Sequence, residues 1–494
     1  MKTKSMQLLR RMLVVVLMSG VGSKVYAEVL SLETALAYLQ ARHPLILSAE
    51  LERKRAALQK DVVEAGLGWE LDSSAGAAHD VNFVGSPTDR ADINAGVKKK
   101  NTLGGTVGVD AFYQYEDSAI SFSPNFPNPY EYAQAGLSYR QPLSQGLNNP
   151  DYQQGLLSAE ADILSAEAQW QGARDGLAGQ LLELYYAAAL TRARIDNAKQ
   201  AVQRARRLKA FVRNNSRLGL AEDKDLLQAE AQLRAQLATL ENLNITWRSQ
   251  RTGLNRLMGR PWDQGYSLII PEEFDALDLT NQAVMTDVEA NDSELKKQQA
   301  RAHQFRASLA RRKDKHKSQF DLVLSVANRT QRGEVAVGGN LNESDVVGGL
   351  RIEYRRPVSK KGRDAELSQA QFEYSRALLD VQAVKLDMRY TVNGLISEIE
   401  AAMKSVSSFE HRMQTEEQRL QETLNRYKTG RADISLVIQF ENELNATRLV
   451  LAQQRGELAR KQAELSLLRG TIWQDLPKVP PVAANMPGYK RVEP

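Results

Sequence analysis

Residues 139–144 read Tyr139-Arg140-Gln141-Pro142-Leu143-Ser144, and 215 positions later Tyr354-Arg355-Arg356-Pro357-Val358-Ser359 reads almost the same way. Further along, Asn214, Gly219, Ala221, Gln228 and Glu230 return as Asn425, Gly430, Ala432, Gln439 and Glu441 at an offset of 211. Leu257, Gly259 and Trp262 return as Leu468, Gly470 and Trp473 at that same offset. One repeated pair would be chance. A constant offset from Asn214 to Trp262 points to duplication of one structural unit.

Working outward, each copy shows the same grammar. No proline occurs in the 110 residues from Asp151 to Arg260 or in the 119 from Val358 to Leu476. Both stretches are rich in Ala, Leu, Gln, Glu and Arg, which are good helix formers. Apolar residues recur at spacings of three and four, as in Leu226, Ala229, Leu233, Leu237, Leu240 and Leu243. Each stretch breaks once, at Arg217-Leu218-Gly219 and at Lys428-Thr429-Gly430. Glycine there suits a helix C-cap and a tight turn. The spacing predicts two pairs of long antiparallel helices. The first helix of each pair, at 65–70 residues, would reach roughly 100 Å at 1.5 Å per residue.

A different texture precedes each hairpin. Residues 71–82, 102–116 and 132–141 alternate small or polar residues with apolar or aromatic ones, and 320–329 and 345–356 do the same in the second half. These are strand signals. Runs of about ten alternating residues suit a membrane-spanning β-strand. Eight of the 32 aromatic residues lie between Phe112 and Tyr139, as an aromatic girdle at a membrane interface would require. A soluble sheet capping a coiled coil would share this pattern. Shorter helices are expected over Ser31–Gly66, punctuated at His43-Pro44, and over Ser293 to about His316. The predicted organisation is a leader at 1–27, a first repeat at 28–262 (strands about 70–141, hairpin about 150–260) and a connector at 263–290. A second repeat follows at 291–476 (strands about 319–357, hairpin about 358–474), then a proline-rich tail at 477–494.

Composition narrows the function. The 494 residues have 42% hydrophobic and 25% charged side chains and a mean hydropathy of −0.44, which excludes a polytopic helical membrane protein and a mostly disordered chain. With no cysteine, disulfides, thiolate zinc sites and cysteine nucleophiles are impossible. The 65 Lys and Arg exceed the 60 Asp and Glu only through Lys2, Lys4, Arg10, Arg11 and Lys24. These sit with the apolar run Leu13 to Met18 and Val25-Tyr26-Ala27, the pattern of a secretory signal cleaved before Glu28. The remainder is balanced, so no global cationic field invites nucleic acid. The basic cluster over 296–317 reads as a solvated helix face ending near anionic lipid head groups, ahead of the Phe320 strand. His43, His79, His303, His316 and His411 lack metal-ligand spacing, and no phosphate-binding loop is present, so no cofactor is implied and an enzyme is not expected.

The order of signal, helix, strands and long hairpin, repeated, resembles the TolC-type outer-membrane efflux proteins (outer membrane factors) over nearly all of the chain beyond the leader. The resemblance is carried by Leu32 with Ala35-Leu36 and His43-Pro44, by Gln141-Pro142-Leu143 and Arg356-Pro357-Val358, by the two glycine tips, and by the Leu-x-Gly ends at Leu257 and Leu468. It implies a homotrimer whose 12-stranded β-barrel, four strands from each chain, is continued by a periplasmic α-helical barrel. It implies a passive exit duct of a tripartite efflux pump or type I secretion system, docked to a periplasmic adaptor and an inner-membrane transporter of RND or ABC type. A periplasmic coiled-coil adaptor or scaffold without a barrel is the alternative. The family closes its periplasmic end by links that match Asp225 and Tyr427 here; Arg431 stands one step from a second linking position, and Asp433 is a loose candidate for an acidic constriction. Adaptor docking would use Leu218-Gly219-Leu220 and Thr429-Gly430-Arg431.

Overall fold

The computed structural model describes residues 29–81, 85–120, 123–218, 222–268, 270–271, 281–356, 358, 360–429 and 431–480. The leader, Gly219, Leu220 and Gly430 at the tips, the middle of the connector and the tail beyond Pro480 lie outside the described residues. In chain order the elements are α1 (Leu32–Arg42), α2 (Pro44–Ala57), α3 (Gln59–Ala65), β1 (Trp69–Val81), β2 (Pro87–Lys100), β3 (Thr106–Ser118), β4 (Tyr130–Pro142), α4 (Pro150–Arg217) and α5 (Asp223–Leu257). Then come α6 (Asn281–Asn291), α7 (Ser293–Lys315), β5 (Gln319–Val335), β6 (Gly339–Arg355), α8 (Lys361–Lys428) and α9 (Ile434–Leu468).

The duplication is visible in element lengths. Helices α4 and α8 each have 68 residues, α5 and α9 each have 35, and α1 and α6 each have 11. All four boundaries of the first hairpin return in the second at an offset of 211. Pro150 opens α4, a position where its missing N–H costs nothing, and the Asn149 side chain accepts the Tyr152 N–H at 3.3 Å. Asp292 caps α7 through the Leu295 N–H at 2.6 Å.

The Leu-x-Gly ends explain themselves. Gly259 and Gly470 have φ of +60° and +72°, the left-handed conformation that closes a helix. A Cβ on Gly259 would stand 2.9 Å from the Arg42 Cβ, and one on Gly470 would stand 2.8 Å from Asn291 Cγ. Arg42 and Asn291 are the last residues of α1 and α6, so the two repeats build the same contact. Gly470→Ala is expected to cost about 2 kcal/mol, since both the backbone and the contact oppose it. Gly456→Ala, whose Cβ would meet only Ile270 at an ordinary 3.5 Å, should be neutral or slightly stabilising. Thermal melts of the purified protein measure the difference.

The strand count corrects the sequence reading. Six strands, not four or five, form one antiparallel sheet in the order β1-β2-β3-β4-β5-β6. The strand that alternation missed is β2. Its Ala91, Ile93, Ala95 and Val97 alternate with Arg90, Asp92 and Asn94, and it ends in Lys98-Lys99-Lys100. So much charge on a solvated face reads as loop when the other face is not known to be covered. The strand expected from residue 102 starts at Thr106, because Asn101 to Gly105 form a turn in which the Asn101 side chain accepts the Leu103 and Gly105 N–H groups at 3.0 and 2.8 Å. From the start of the 11-residue helix to the start of the 68-residue helix is 118 positions in the first repeat (32 to 150) and 80 in the second (281 to 361). The excess of 38 is close to the length of residues 69–105, so the first repeat carries one extra β-hairpin. The expected connector, 263–290, also ends in a helix, α6.

The chain divides into two compact units. One holds residues 29–47, 174–291 and 390–480, and its interior is built on Leu30, Leu36, Leu39, Ile46, Leu181, Leu254, Met258, Leu458 and Leu465. There Tyr185 donates its hydroxyl to the Leu30 carbonyl at 2.9 Å, and burial pushes its phenol well above the ordinary range. The other holds residues 48–173 and 292–389, with the sheet and the helix ends that lead into it. In it Asp314, nearly buried, accepts the Gly146 N–H at 3.0 Å and pairs with Lys317 at 3.0 Å. Part of the basic cluster is used there. Arg311 pairs with Asp151 at 3.3 Å, and Lys296 donates to Gln171 at 2.9 Å.

Candidate functional site

The pairing register sorts the sheet into two unlike faces. Residues directly opposite in antiparallel strands share a face. One row runs Leu71, Val97, Val109, Leu137, Val326 and Gly348 across all six strands. The row nearer the helices runs Trp69, Lys99, Val107, Tyr139, Leu324 and Leu350, with Phe320 paired to Tyr354 beyond it. Rows toward the strand tips continue through Ala95, Ala111 and Ala135 to Tyr113 and Tyr115. Every large apolar strand side chain that is exposed, from Trp69 at 61% through Leu71 at 71% to Val346 at 77%, lies on this face. A patch of that size in water invites association or lipid. Aromatic rings toward both of its ends, with mostly small or aliphatic residues between and Asn328 and Thr330 on β5, are the pattern of a lipid-facing band.

The opposite face is mainly polar, with Phe112, Tyr130 and Tyr132 toward the strand tips. It carries Glu70, Asp72, Arg90, Asp92, Asn94, Asp110, Gln114, Glu116, Gln134, Arg140, Asp321 and Glu353. Ion pairs cross it between strands. Arg90 of β2 meets Glu116 of β3 at 3.1 Å, and Arg140 of β4 reaches Asp321 of β5 at 2.9 Å and Glu353 of β6 at 2.7 Å. Among the described residues no helix is long and apolar enough to cross a membrane.

At the other functional candidate, the helix tips, the two hairpins pack on each other. Val212 of α4, Ala229 of α5 and Ile438 of α9 form one buried cluster, and Leu420, Val437, Phe440 and Leu444 form a second. Tyr427, half-buried, packs against both, with its ring 5.6 Å from that of Phe211. Arg204 fastens the hairpins through Glu441 at 2.5 Å and Asn445 at 2.6 Å.

No protein-family model matches the chain, and no curated protein resembles it in sequence. Solved structures match it in fold. The outer membrane protein VceC from Vibrio cholerae superposes with a TM-score of 0.63 at 16% identity, over 89% of this chain and 96% of that one. The Campylobacter jejuni CmeC outer membrane channel gives 0.61 at 12% identity, over 89% and 85%. The open-state Neisseria gonorrhoeae MtrE outer membrane channel gives 0.56 at 16%, over 89% and 88%.

The fold is that of the TolC-type outer-membrane channels.

Within this channel fold, the residues singled out at the tips are placed as follows. Asp225 lies in the first turn of α5, and its carboxylate accepts the Glu222 backbone N–H at 3.3 Å. Burial first, then the carboxylates of Asp225 and Asp433, push the Tyr427 phenol above its usual range, so it stays a neutral donor. Asp433 caps α9, accepting the Ser435 N–H at 2.7 Å and hydroxyl at 2.6 Å, and these bonds hold its carboxyl below the ordinary carboxylate range. That carboxylate is therefore engaged with its own helix. Arg431 is exposed, and its N–H donates to the Arg426 carbonyl at 2.8 Å, closing α8. Leu218 and Thr429 are exposed at the ends of the same helices; Gly219, Leu220 and Gly430 lie outside the described residues. Because the Asp433 pKa is lowered on folding, its capping contributes fully above about pH 4 and fades as the pH falls through the lower folded value. Asp433→Ala should speed amide exchange in the first turn of α9 about fivefold at pH 7, and the difference should shrink as the pH falls below about 4 toward the depressed folded value.

Two features of the channel fold were beyond the sequence reading. The Arg140-Asp321-Glu353 cluster joins residues 181 and 213 positions apart, which only the strand register brings together. The assignment of each strand residue to the apolar or polar face likewise needs that register.

Proposed function

We propose that this protein is an outer-membrane channel, a passive exit duct through which an inner-membrane transporter drives its cargo. The observation that carries the reading is the six-stranded sheet with one largely apolar face and one largely polar face. A sheet in lipid must close so that no backbone edge is left unpaired. Copies of the chain, three by the family resemblance, supply that closure with the polar face lining water. The long hairpins α4/α5 and α8/α9 then form the periplasmic helical barrel, and their tips restrict its inner end through Asp225 and Tyr427, with Arg431 and Asp433 beside them. A periplasmic adaptor docks on Leu218-Gly219-Leu220 and Thr429-Gly430-Arg431, and an RND- or ABC-type transporter provides the energy. A soluble coiled-coil scaffold would leave Leu71, Leu137, Leu350 and their neighbours in water, which counts against the alternative.

Cell fractionation tests this. The protein is expected in the outer-membrane fraction, released only by detergent, as an oligomer that dissociates on heating. Recovery from the soluble periplasm without detergent would overturn the proposal.

A further inference from the structure

The extra hairpin β1-β2 raises a question that the duplicated plan does not answer: whether it stands in the channel wall or outside it. Leu71, Ala75, Ile93, Ala95 and Val97, with the small Ser73 among them, continue the apolar band, and Asp72 and Asn94 continue the polar face. A ribbon lying outside the wall would have no need of this alternation. The hairpin is also fixed at the helix end. The turn after β2 is held where the chain enters α4, by Asn149 donating to the Asn101 carbonyl at 3.0 Å and by the Asn148 N–H reaching the Leu103 carbonyl at 3.0 Å.

The sheet's free edges are then β1 and β6. They are 13 and 17 residues long, and all of β1 is exposed. Bare edges of that length are templates for pairing. Strand β1 leaves the helical side and β6 returns to it, so β6 of one copy meets β1 of the next antiparallel. Their charges match at the helix end of the polar face. Strand β1 offers Glu70 and Asp72, and β6 offers Arg351 and Arg355 on either side of Glu353. Arg351 is 76% exposed with Glu353 at 3.5 Å, and Glu70 is 69% exposed with Lys98 at 3.4 Å, so pairing of the edges would share these ion pairs between copies.

We propose that β1 of one copy pairs with β6 of a second copy, so that all six strands of each chain stand in the barrel wall. The proposal rests on the channel reading above. Three copies would then close 18 strands instead of 12, since each contributes six. Barrel diameter grows roughly linearly with strand number, so the exit is about half as wide again as a 12-stranded one. That width favours bulkier cargo.

The chain has no cysteine, so disulfide trapping has no background. Ala75→Cys on β1 would be combined in turn with Val346→Cys, Gly348→Cys, Leu350→Cys and Ile352→Cys on β6. One combination and its neighbour are expected to give a covalent ladder ending at the closed oligomer under mild oxidation, since opposed strand residues bring Cβ atoms within disulfide reach. Ala111→Cys on β3 with the same partners should give none. A detergent-stable oligomer in which β1 never cross-links, or in which Ala111→Cys does, would place the hairpin outside the wall and overturn the proposal while leaving the channel intact. A soluble protein would overturn both. As a second readout, Arg351→Glu with Arg355→Glu should lower the temperature at which the detergent-resistant oligomer dissociates, and adding Glu70→Arg with Asp72→Arg should restore it. Failure of the reversed set to recover would count against pairing of these edges.

Discussion

Leu137→Arg should abolish assembly of the folded oligomer in the outer membrane, while Ser138→Arg, one residue along the same strand, should leave it in place. Leu137 lies in the row of Leu71, Val97, Val109 and Val326, near the middle of the apolar face. An arginine there would cost about 2–4 kcal/mol in each copy at the bilayer midplane. Repeated around a closed oligomer, that exceeds what a marginally stable assembly tolerates. Ser138 faces the other way, beside Gly108 and diagonal to Asp110 of β3, where a guanidinium meets water and an acid. Heat-modifiable bands in the outer-membrane fraction report both variants. Equal assembly of the two, or loss of the Ser138 variant alone, would mean that the faces are assigned the wrong way round.

The second large effect is at the tips. Asp225→Ala combined with Tyr427→Phe should raise single-channel conductance in planar bilayers several-fold. The phenol of Tyr427 remains neutral because burial and two nearby carboxylates oppose its ionisation, so it is fit to donate to an acid of a neighbouring hairpin. Removing only its hydroxyl keeps the ring packed against Phe211 and against the cluster of Val212, Ala229 and Ile438, so the hairpins themselves should persist. Asp225 is coupled to the Glu222 N–H at the start of α5, and its loss also loosens that turn. Unchanged conductance in the double variant would remove the gate from these residues and leave the wall untouched.

Much of the architecture is legible in sequence because the helices are long and the duplication is strict. The offset of 211 read from Asn214, Gly259 and Trp262 is also the offset of every hairpin boundary. The glycines at Leu-x-Gly announce helix ends because only a left-handed residue fits beside Arg42 and Asn291. The sheet is less legible. Periodicity finds β1, where Leu71 and Val81 frame small residues, but not β2, where Arg90, Asp92 and three lysines dominate. Register is not legible at all. Arg140 reads as part of a repeated motif, and nothing near it in sequence reveals that Asp321 and Glu353 neutralise it. At the tips the sequence offers residue types, Asp225 and Tyr427, while their local duties in capping and packing are set by contacts between hairpins.

The most direct test of the central claim, that one face of the sheet meets lipid and the other lines water, uses single cysteines at Leu137 and Ser138 in the otherwise cysteine-free protein reconstituted in lipid. A charged, water-soluble maleimide should label Ser138→Cys rapidly and leave Leu137→Cys nearly unmodified, and a fluorophore placed at residue 137 should be quenched by brominated lipid. Equal, rapid labelling of both positions with no lipid quenching would contradict the account.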